Sequence, residues 1–182
     1  SMAALAPSAG CALALLGCTP EFSSPIEDDV GPASYCGSVS TWESAWSELE
    51  LELADAVNAA RGAARTCGGM DVGNTRGLEF VPELRCAARR RARHAGDNNT
   101  LSPTDLDGLD PLERAYRAEY EGIPRGEVLA HGYSNAQQVV DAFLGSAEHC
   151  EVLMDRNFDD IGTGVYDFGP EPIWVVAFGR QR

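Results

Sequence analysis

Apolar positions between residues 42 and 65 recur with a helical period. Leu49, Leu53, Ala56, Val57, Ala60 and Ala64 fall at i, i+4, i+7, i+8, i+11 and i+15, which predicts a first long helix. The alternating run at 48–53 has the look of a strand, but the length of the periodic segment and its alanine content favour helix. A second stripe, Leu84, Ala88, Ala92 and Ala95, follows Pro82. Proline suits a first helical turn, where its missing N–H would have no partner anyway. Asp110-Pro111-Leu112-Glu113 reads as a further start, with an Asp cap, Pro at the first position and Glu at the third. The stretch 134–164 is the one the chain is organised around. Ala136, Val139, Val140, Phe143 and Leu144 make one apolar helix face. Ser134 and Gln137 are placed as its capping box, and Gly145 as its stop. Ser146 then caps a short helix carrying His149 and Cys150. After it the period changes to that of strands: Ile161 to Tyr166 and Ile173 to Gly179, separated by Gly169-Pro170, predict an antiparallel hairpin.

Composition narrows the possibilities. The chain has 182 residues, enough for one domain with a real core plus a tail. Its formal charge is −14, and all 14 basic residues are arginines. So acidic a surface repels phosphate backbones and excludes nucleic acid and anionic membrane surfaces as main partners. Arg85, Arg89, Arg90, Arg91 and Arg93 form a basic cluster, read as a solvated face paired with nearby carboxylates. No apolar run is long enough to span a bilayer. Six cysteines, Cys11, Cys18, Cys36, Cys67, Cys86 and Cys150, are dispersed without a C-x-x-C pair, which points to disulfides and export rather than zinc or redox chemistry. Residues 12–18 run Ala-Leu-Ala-Leu-Leu-Gly-Cys and are expected to be the remnant of a lipoprotein signal within 1–18, with Cys18 lipidated. A small helix stapled by Cys11 and Cys18 is the other reading. Residues 19–40, rich in Pro, Ser, Gly and acids, read as a linker or wrapped arm, and 41–182 as the domain.

A family resemblance rests on several motifs in order. Val57-Asn58-Ala59-Ala60-Arg61 resembles an N-x-x-R first helix, and Leu84-Arg85-Cys86-Ala87-Ala88 with His94 an L-x-C-A-A … H run. Pro111-x-x-Arg114 with Tyr120 resembles P-x-x-R … G-Y, with Glu119 where glycine is usual. Gly126-Glu127-Val128-Leu129 resembles a G-E-N-I strand, and Ser146-x-x-His149 the bacterial S-x-x-H. Ile161-Gly162-Thr163-Gly164 and Trp174 … Phe178-Gly179 close the set. Together, over about residues 47–180, these resemble the bacterial branch of the CAP superfamily, or SCP domain, of cysteine-rich secretory proteins, antigen 5 and pathogenesis-related proteins.

The resemblance implies an α+β fold, a three-layer α-β-α sandwich with a small antiparallel sheet. It implies a disulfide from Cys86 to Cys150, and with that pair taken Cys67 is expected to join Cys36. It also implies a cleft of histidines and acids that holds a divalent cation in several members. Glu127 matches the cleft acid and His149 one cleft histidine. The second histidine falls where this chain has Leu101-Ser102-Pro103-Thr104, so Pro103 takes its place, and Ser146 stands where the eukaryotic branch has a further acid. His131 is within reach of the cleft, with an exposed loop as its default reading. His94 and Asp97 are candidates to complete the set, against a packed helix histidine bonded to backbone. His149 is the best metal candidate, but one histidine and one carboxylate fall short of the three or four ligands of a tight zinc site. The expectation is therefore an exported, monomeric, non-catalytic binding module for a small apolar molecule or an extracellular protein. It requires no cofactor, has a weak divalent cation at most, and meets a membrane only through a lipid anchor. A weak metal-dependent hydrolase and a structural surface lipoprotein are the alternatives.

Overall fold

The computed structural model describes residues 25–106, 108–167 and 171–182; the expectations for Cys11, Cys18 and the Gly169-Pro170 loop lie outside them. The chain runs through β1 (Pro25–Glu27), a 3-10 helix (Ser34–Val39), β2 (Thr41–Glu43), α1 (Ser44–Arg61), β3 (Arg65–Cys67), β4 (Met70–Val72), β5 (Glu79–Phe80), α2 (Pro82–Asn98), α3 (Pro111–Arg117), β6 (Ile123–His131), α4 (Ala136–Gly145), α5 (Ala147–Leu153), β7 (Asp160–Tyr166) and β8 (Ile173–Arg180). The predicted first helix is trimmed at both ends. Residues 41–43 pair with β1, and 65–67 turn back on β4 as a hairpin.

The central sheet has the order β5-β7-β8-β6. β8 lies antiparallel to both β7 and β6, while the two-residue β5 runs parallel to β7, so the sheet is antiparallel apart from that edge. Alternation on β8 sorts its side chains between two cores. Trp174, Val176 and Phe178 join one core with Leu53 and Val57 of α1, Val139 and Phe143 of α4 and Leu153 of α5. Ile173, Val175 and Ala177 join the other with Leu84, Ala88 and Ala92 of α2 and Ala115 of α3. Helices thus cover both faces, giving the three layers of an α-β-α sandwich.

The glycines of β7 set the spacing of the second layer. A Cβ on Gly162 would lie 2.1 Å from the Arg85 backbone nitrogen, and one on Gly164 would lie 2.4 Å from the Ala88 carbonyl carbon. The absence of side chains there lets α2 sit directly on the strand.

Both disulfides correct the expected pairing. Cys36 bonds Cys86, and Cys67 bonds Cys150. The 3-10 helix packs on α2, so its cysteine meets the one on that helix. β3 packs on α5, so Cys67 meets Cys150 on the opposite side of the sheet.

The arginine cluster is also corrected in part. Its partners are carboxylates, as expected, but Arg85, Arg89 and Arg91 are buried rather than solvated. Glu50 of α1 is fully buried and accepts from Arg85 Nε at 2.8 Å, Arg89 Nη2 at 2.7 Å and the Val165 N–H at 3.2 Å. Arg89 also reaches Asp28 at 2.6 Å and the Val39 carbonyl at 3.0 Å, tying residues 28–39 to both helices. Arg90 and Arg93 stay near the surface, on the Ser38 hydroxyl and carbonyl respectively.

Candidate functional site

The organising helix begins one residue later than its sequence suggests. Asn135, not Ser134, caps α4 and accepts from the Gln138 N–H at 3.0 Å, and the Gln138 side chain reaches back to the Ser134 N–H. Ser146 then caps α5, accepting from the His149 N–H at 3.5 Å. That turn delivers His149 to the edge of β6, the outermost strand. The His149 imidazole stands edge-on to Phe143, ring centres 5.4 Å apart.

Glu127 arrives from the strand itself. It lines a cavity of about 230 Å³ together with Arg91, Leu101, Pro103, Val128, Leu129, His131 and His149. A second concavity of about 200 Å³ shares Leu129, His131 and His149, and continues over Ala130, Tyr133, Ala142 and Phe143. Pro103 forms wall where a histidine would have stood. His131 lies at the boundary of the two spaces, and its ring bonds the Glu171 carboxylate. Ser146 is spent on the cap and is not among the residues lining either space. His94 points elsewhere: its Nε2 accepts from the Leu106 N–H at 3.1 Å, while Asp97 accepts from the Tyr166 hydroxyl at 2.6 Å.

Sequence reasoning did not foresee what surrounds Glu127. Arg114 of α3, fully buried, donates from Nη2 to both Glu127 oxygens at 2.9 Å. Arg91 of α2, also fully buried, holds Nε 3.7 Å from Glu127 and Nη1 3.5 Å from Asp105. Burial pushes the Glu127 carboxyl up from its ordinary value, against the pull of Arg114 and Arg91. The same two arginines hold the loop over the cavity. Arg91 donates to the Ser102 carbonyl, and Arg114 to the carbonyls of Leu109 at 2.8 Å and Pro103 at 3.2 Å. A signal for Arg91 was present: it sits between Ala88 and Ala95 at i+3 and i−4, inside the apolar stripe of α2.

These residues do not fit a divalent cation. Both Glu127 oxygens already accept from a guanidinium, and a second guanidinium stands beside them, so an incoming cation would meet two fixed positive charges. Among the described residues no group of three or more His, Cys, Asp or Glu converges for a metal. Cys150 is in a disulfide and offers no thiolate. A larger open cleft, about 720 Å³, lies at the other end of β6. It is lined by Glu83, Glu119, Glu121 and Asp160. It shares no residue with the Glu127 cavity.

The N-x-x-R motif is structural. Asn58 exchanges two hydrogen bonds with the backbone of Leu78, and Arg61 caps carbonyls of Leu153, Asp155 and Arg76.

Comparisons with known proteins agree with this architecture. Residues 54–178 match the profile of the cysteine-rich secretory protein family, CAP. An uncharacterised protein of Borreliella burgdorferi is 31% identical over 115 residues, spanning 60% of this chain and 70% of that protein. The structure of an outer surface protein from Borrelia burgdorferi is 32% identical and superposes with a TM-score of 0.53, covering 60% of this chain and 81% of that one. The crystal structure of an extracellular SCP-domain protein from Bacillus anthracis superposes with a TM-score of 0.64 at 20% identity. It covers 74% of this chain, which spans only 41% of the Bacillus protein. No described helix is long and apolar enough to cross a membrane. With the profile matched across most of its length and the three-layer sandwich in place, the chain belongs to the CAP family of cysteine-rich secretory proteins.

Proposed function

We propose that this chain is a non-catalytic CAP binding module, acting outside the cytoplasm, whose cleft takes a small apolar molecule. The observation that carries this reading is the state of Glu127. Its carboxylate is neutralised by Arg114 and faces Arg91, so it serves the cavity wall rather than a metal or a proton transfer. What remains open to a ligand is hydrocarbon and polar surface in about equal shares: Leu101, Pro103, Val128 and Leu129 on one side and Ala142 and Phe143 on the other, together with His131, Tyr133 and His149. Apolar side chains with a small number of polar groups placed among them are the usual make-up of a small-molecule site. Two disulfides support an oxidising, extracytoplasmic setting. So does its similarity to an extracellular SCP-domain protein and to an outer surface protein. Attachment through a lipid on Cys18, a monomeric state and independence from cofactors belong to the same proposal.

Two measurements test it. Calorimetric titration with zinc is expected to show no saturable heat, in the intact chain and in His149→Ala alike. Organic extraction of protein purified from its own envelope fraction is expected to release an apolar compound absent from an Ala142→Phe variant. Zinc binding in the micromolar range that His149→Ala abolishes would overturn the reading in favour of metal chemistry.

A further inference from the structure

The strand that carries Glu127 is an uncovered edge of the sheet. β6 lies outermost, with β8 as its one neighbour in the ladder. In an antiparallel pair, alternate residues exchange hydrogen bonds with the neighbour, and the others turn their N–H and C=O away from it. The Gly132 N–H donates to the Pro172 carbonyl at 3.0 Å, and that pair continues the register in which His131 faces Ile173 and Ala130 faces Trp174. Gly132, Ala130 and Val128 therefore bond the β8 side, whereas Glu127, Leu129 and His131 aim their main-chain groups outward. Among the described residues, none of those outward N–H or C=O groups has a hydrogen-bond partner.

The cleft reaches these groups. Consecutive strand residues face opposite sides of a sheet, yet Glu127, Val128 and Leu129 all line the 230 Å³ space, and Leu129, Ala130 and His131 all line the 200 Å³ one. A space touched from both faces of one strand lies against its edge. The Glu127 side chain is only 6% exposed although the residue as a whole is only partly buried, so solvent reaches its main chain. The start of β6 is closed to pairing: Pro124 has no N–H, the register shifts between Pro124 and Gly126, and Arg125 is exposed. Such features keep a strand edge from joining another. No proline, bulge or exposed arginine interrupts residues 127–131.

The walls say what can pair there. Leu101 and Pro103 stand on one side of the edge, Phe143 and His149 on the other. A second copy's β6 would bring its own flanking layers and could not enter between them; a single extended segment can. Its side chains would point alternately to the two walls. Glu148, next to His149, and Glu171, bonded to His131, are exposed in a chain of net charge −14, so the complementary segment has basic flanks.

We propose that residues 127–131 are a docking edge for an extended, basic-flanked segment of another protein, which adds to the sheet as a further strand. This is a second kind of occupant for the cleft. It rests on backbone groups that the apolar-ligand reading leaves unused, so either can fail alone.

Amide hydrogen exchange, read residue by residue on the unmutated chain, tests it. In the free protein Leu129 and His131 should exchange about tenfold faster than Val128 and Ala130, or more, as expected for amides that lack a hydrogen bond. Saturation with the acetylated, amidated peptide Lys-Val-Ala-Val-Ala-Val-Lys should slow Glu127, Leu129 and His131 by about tenfold and leave Val128 and Ala130 unchanged. The same peptide N-methylated along its central residues keeps the side chains but loses the donors, and should bind about tenfold more weakly. Outward amides already as slow as Val128 and Ala130 in the free protein would overturn the proposal. So would a peptide that does not bind, or one that binds without protecting them. Protection that grows with protein concentration in the absence of peptide would overturn it in favour of pairing between two copies.

Discussion

Glu50→Gln probes the charge cluster that joins residues 28–39, α1 and α2. The wild-type carboxylate has no exposed surface and compensates Arg85 and Arg89, the latter through contacts at 2.7, 2.9 and 3.1 Å. Glutamine keeps one acceptor oxygen but loses the charge. The two guanidiniums are then left with Asp28, 2.6 Å from Arg89 but 3.4 Å from Arg85. Breaking one side of a buried ion pair costs about 3–5 kcal/mol. The retained amide oxygen places this variant near the lower figure, roughly 3 kcal/mol. For a chain of this size that lowers Tm by about 6–12 °C. Denaturant unfolding under oxidising conditions, followed by near-ultraviolet dichroism of Trp42 and Trp46, measures the change directly; the guanidinium carbon of Arg89 lies 4.9 Å from the Trp42 ring centre. The double variant Glu50→Leu, Arg89→Met removes both charges together, and its cost should fall short of the summed single costs by 1 kcal/mol or more, since partners in one network are not additive (roughly 0.5–3 kcal/mol). A loss below about 1 kcal/mol for Glu50→Gln would refute the reasoning, because it would mean that water or motion compensates the arginines in place of the carboxylate.

Three further outcomes follow from particular residues. Peptide mapping without reduction should recover Cys36 joined to Cys86 and Cys67 joined to Cys150; their sequence separations of 50 and 83 give about 4 and about 4.5 kcal/mol in the chain-entropy account, so losing the second pair should cost slightly more. A Cys86–Cys150 peptide would contradict the packing described. Glu119→Gly should raise stability by about 0.5–1 kcal/mol, because Glu119 holds φ at +64°, where a side chain is strained; an unchanged or lower denaturation midpoint would refute this. Asp28→Asn should flatten the acid limb of stability. Burial raises the Asp28 pKa, but the Ser47 hydroxyl, Arg89 and Arg85 outweigh it, so the net value lies below the ordinary 3.8. A depressed carboxyl contributes stability above its unfolded pKa and loses it as pH falls through the folded one. The gap between wild type and Asp28→Asn should therefore be present at pH 6 and close below pH 3.8. Burial shifts Glu50 and Glu127 the other way, so the difference between the two proteins, not the absolute curve, is diagnostic.

Much of the frame was legible along the chain because periodicity is a local property. The stripes of α1, α2 and α4 and the hairpin β7–β8 follow from which residues recur every 3.6 or every second position, and the expected Asp110 cap is present, with Glu113 completing a capping box. The one-residue error at α4 arose because Ser134 and Asn135 are both good caps, and only the backbone at Asn135 decides between them. The candidate site was legible in part: Glu127 and His149 could be named from motifs, but not the arginines from α2 and α3 that occupy the carboxylate. The place of Arg91 inside the apolar stripe of α2 marks it, unlike Arg90, as facing the core, but spacing along a helix does not say which acid from another segment it meets.

The sequence by itself determined the main helices and the closing hairpin, their order, the export-type cysteine content and the family resemblance, but not the short strands β1 to β5. Only the tertiary structure decided which sulfurs meet, which charges are buried and what the cleft acid is free to do. Each of those depends on distances between segments far apart in the chain: α2 over the side-chain-free Gly162 and Gly164, Cys36 against the same helix, and Arg114 reaching β6. Such distances are set by how two helical layers close on one sheet.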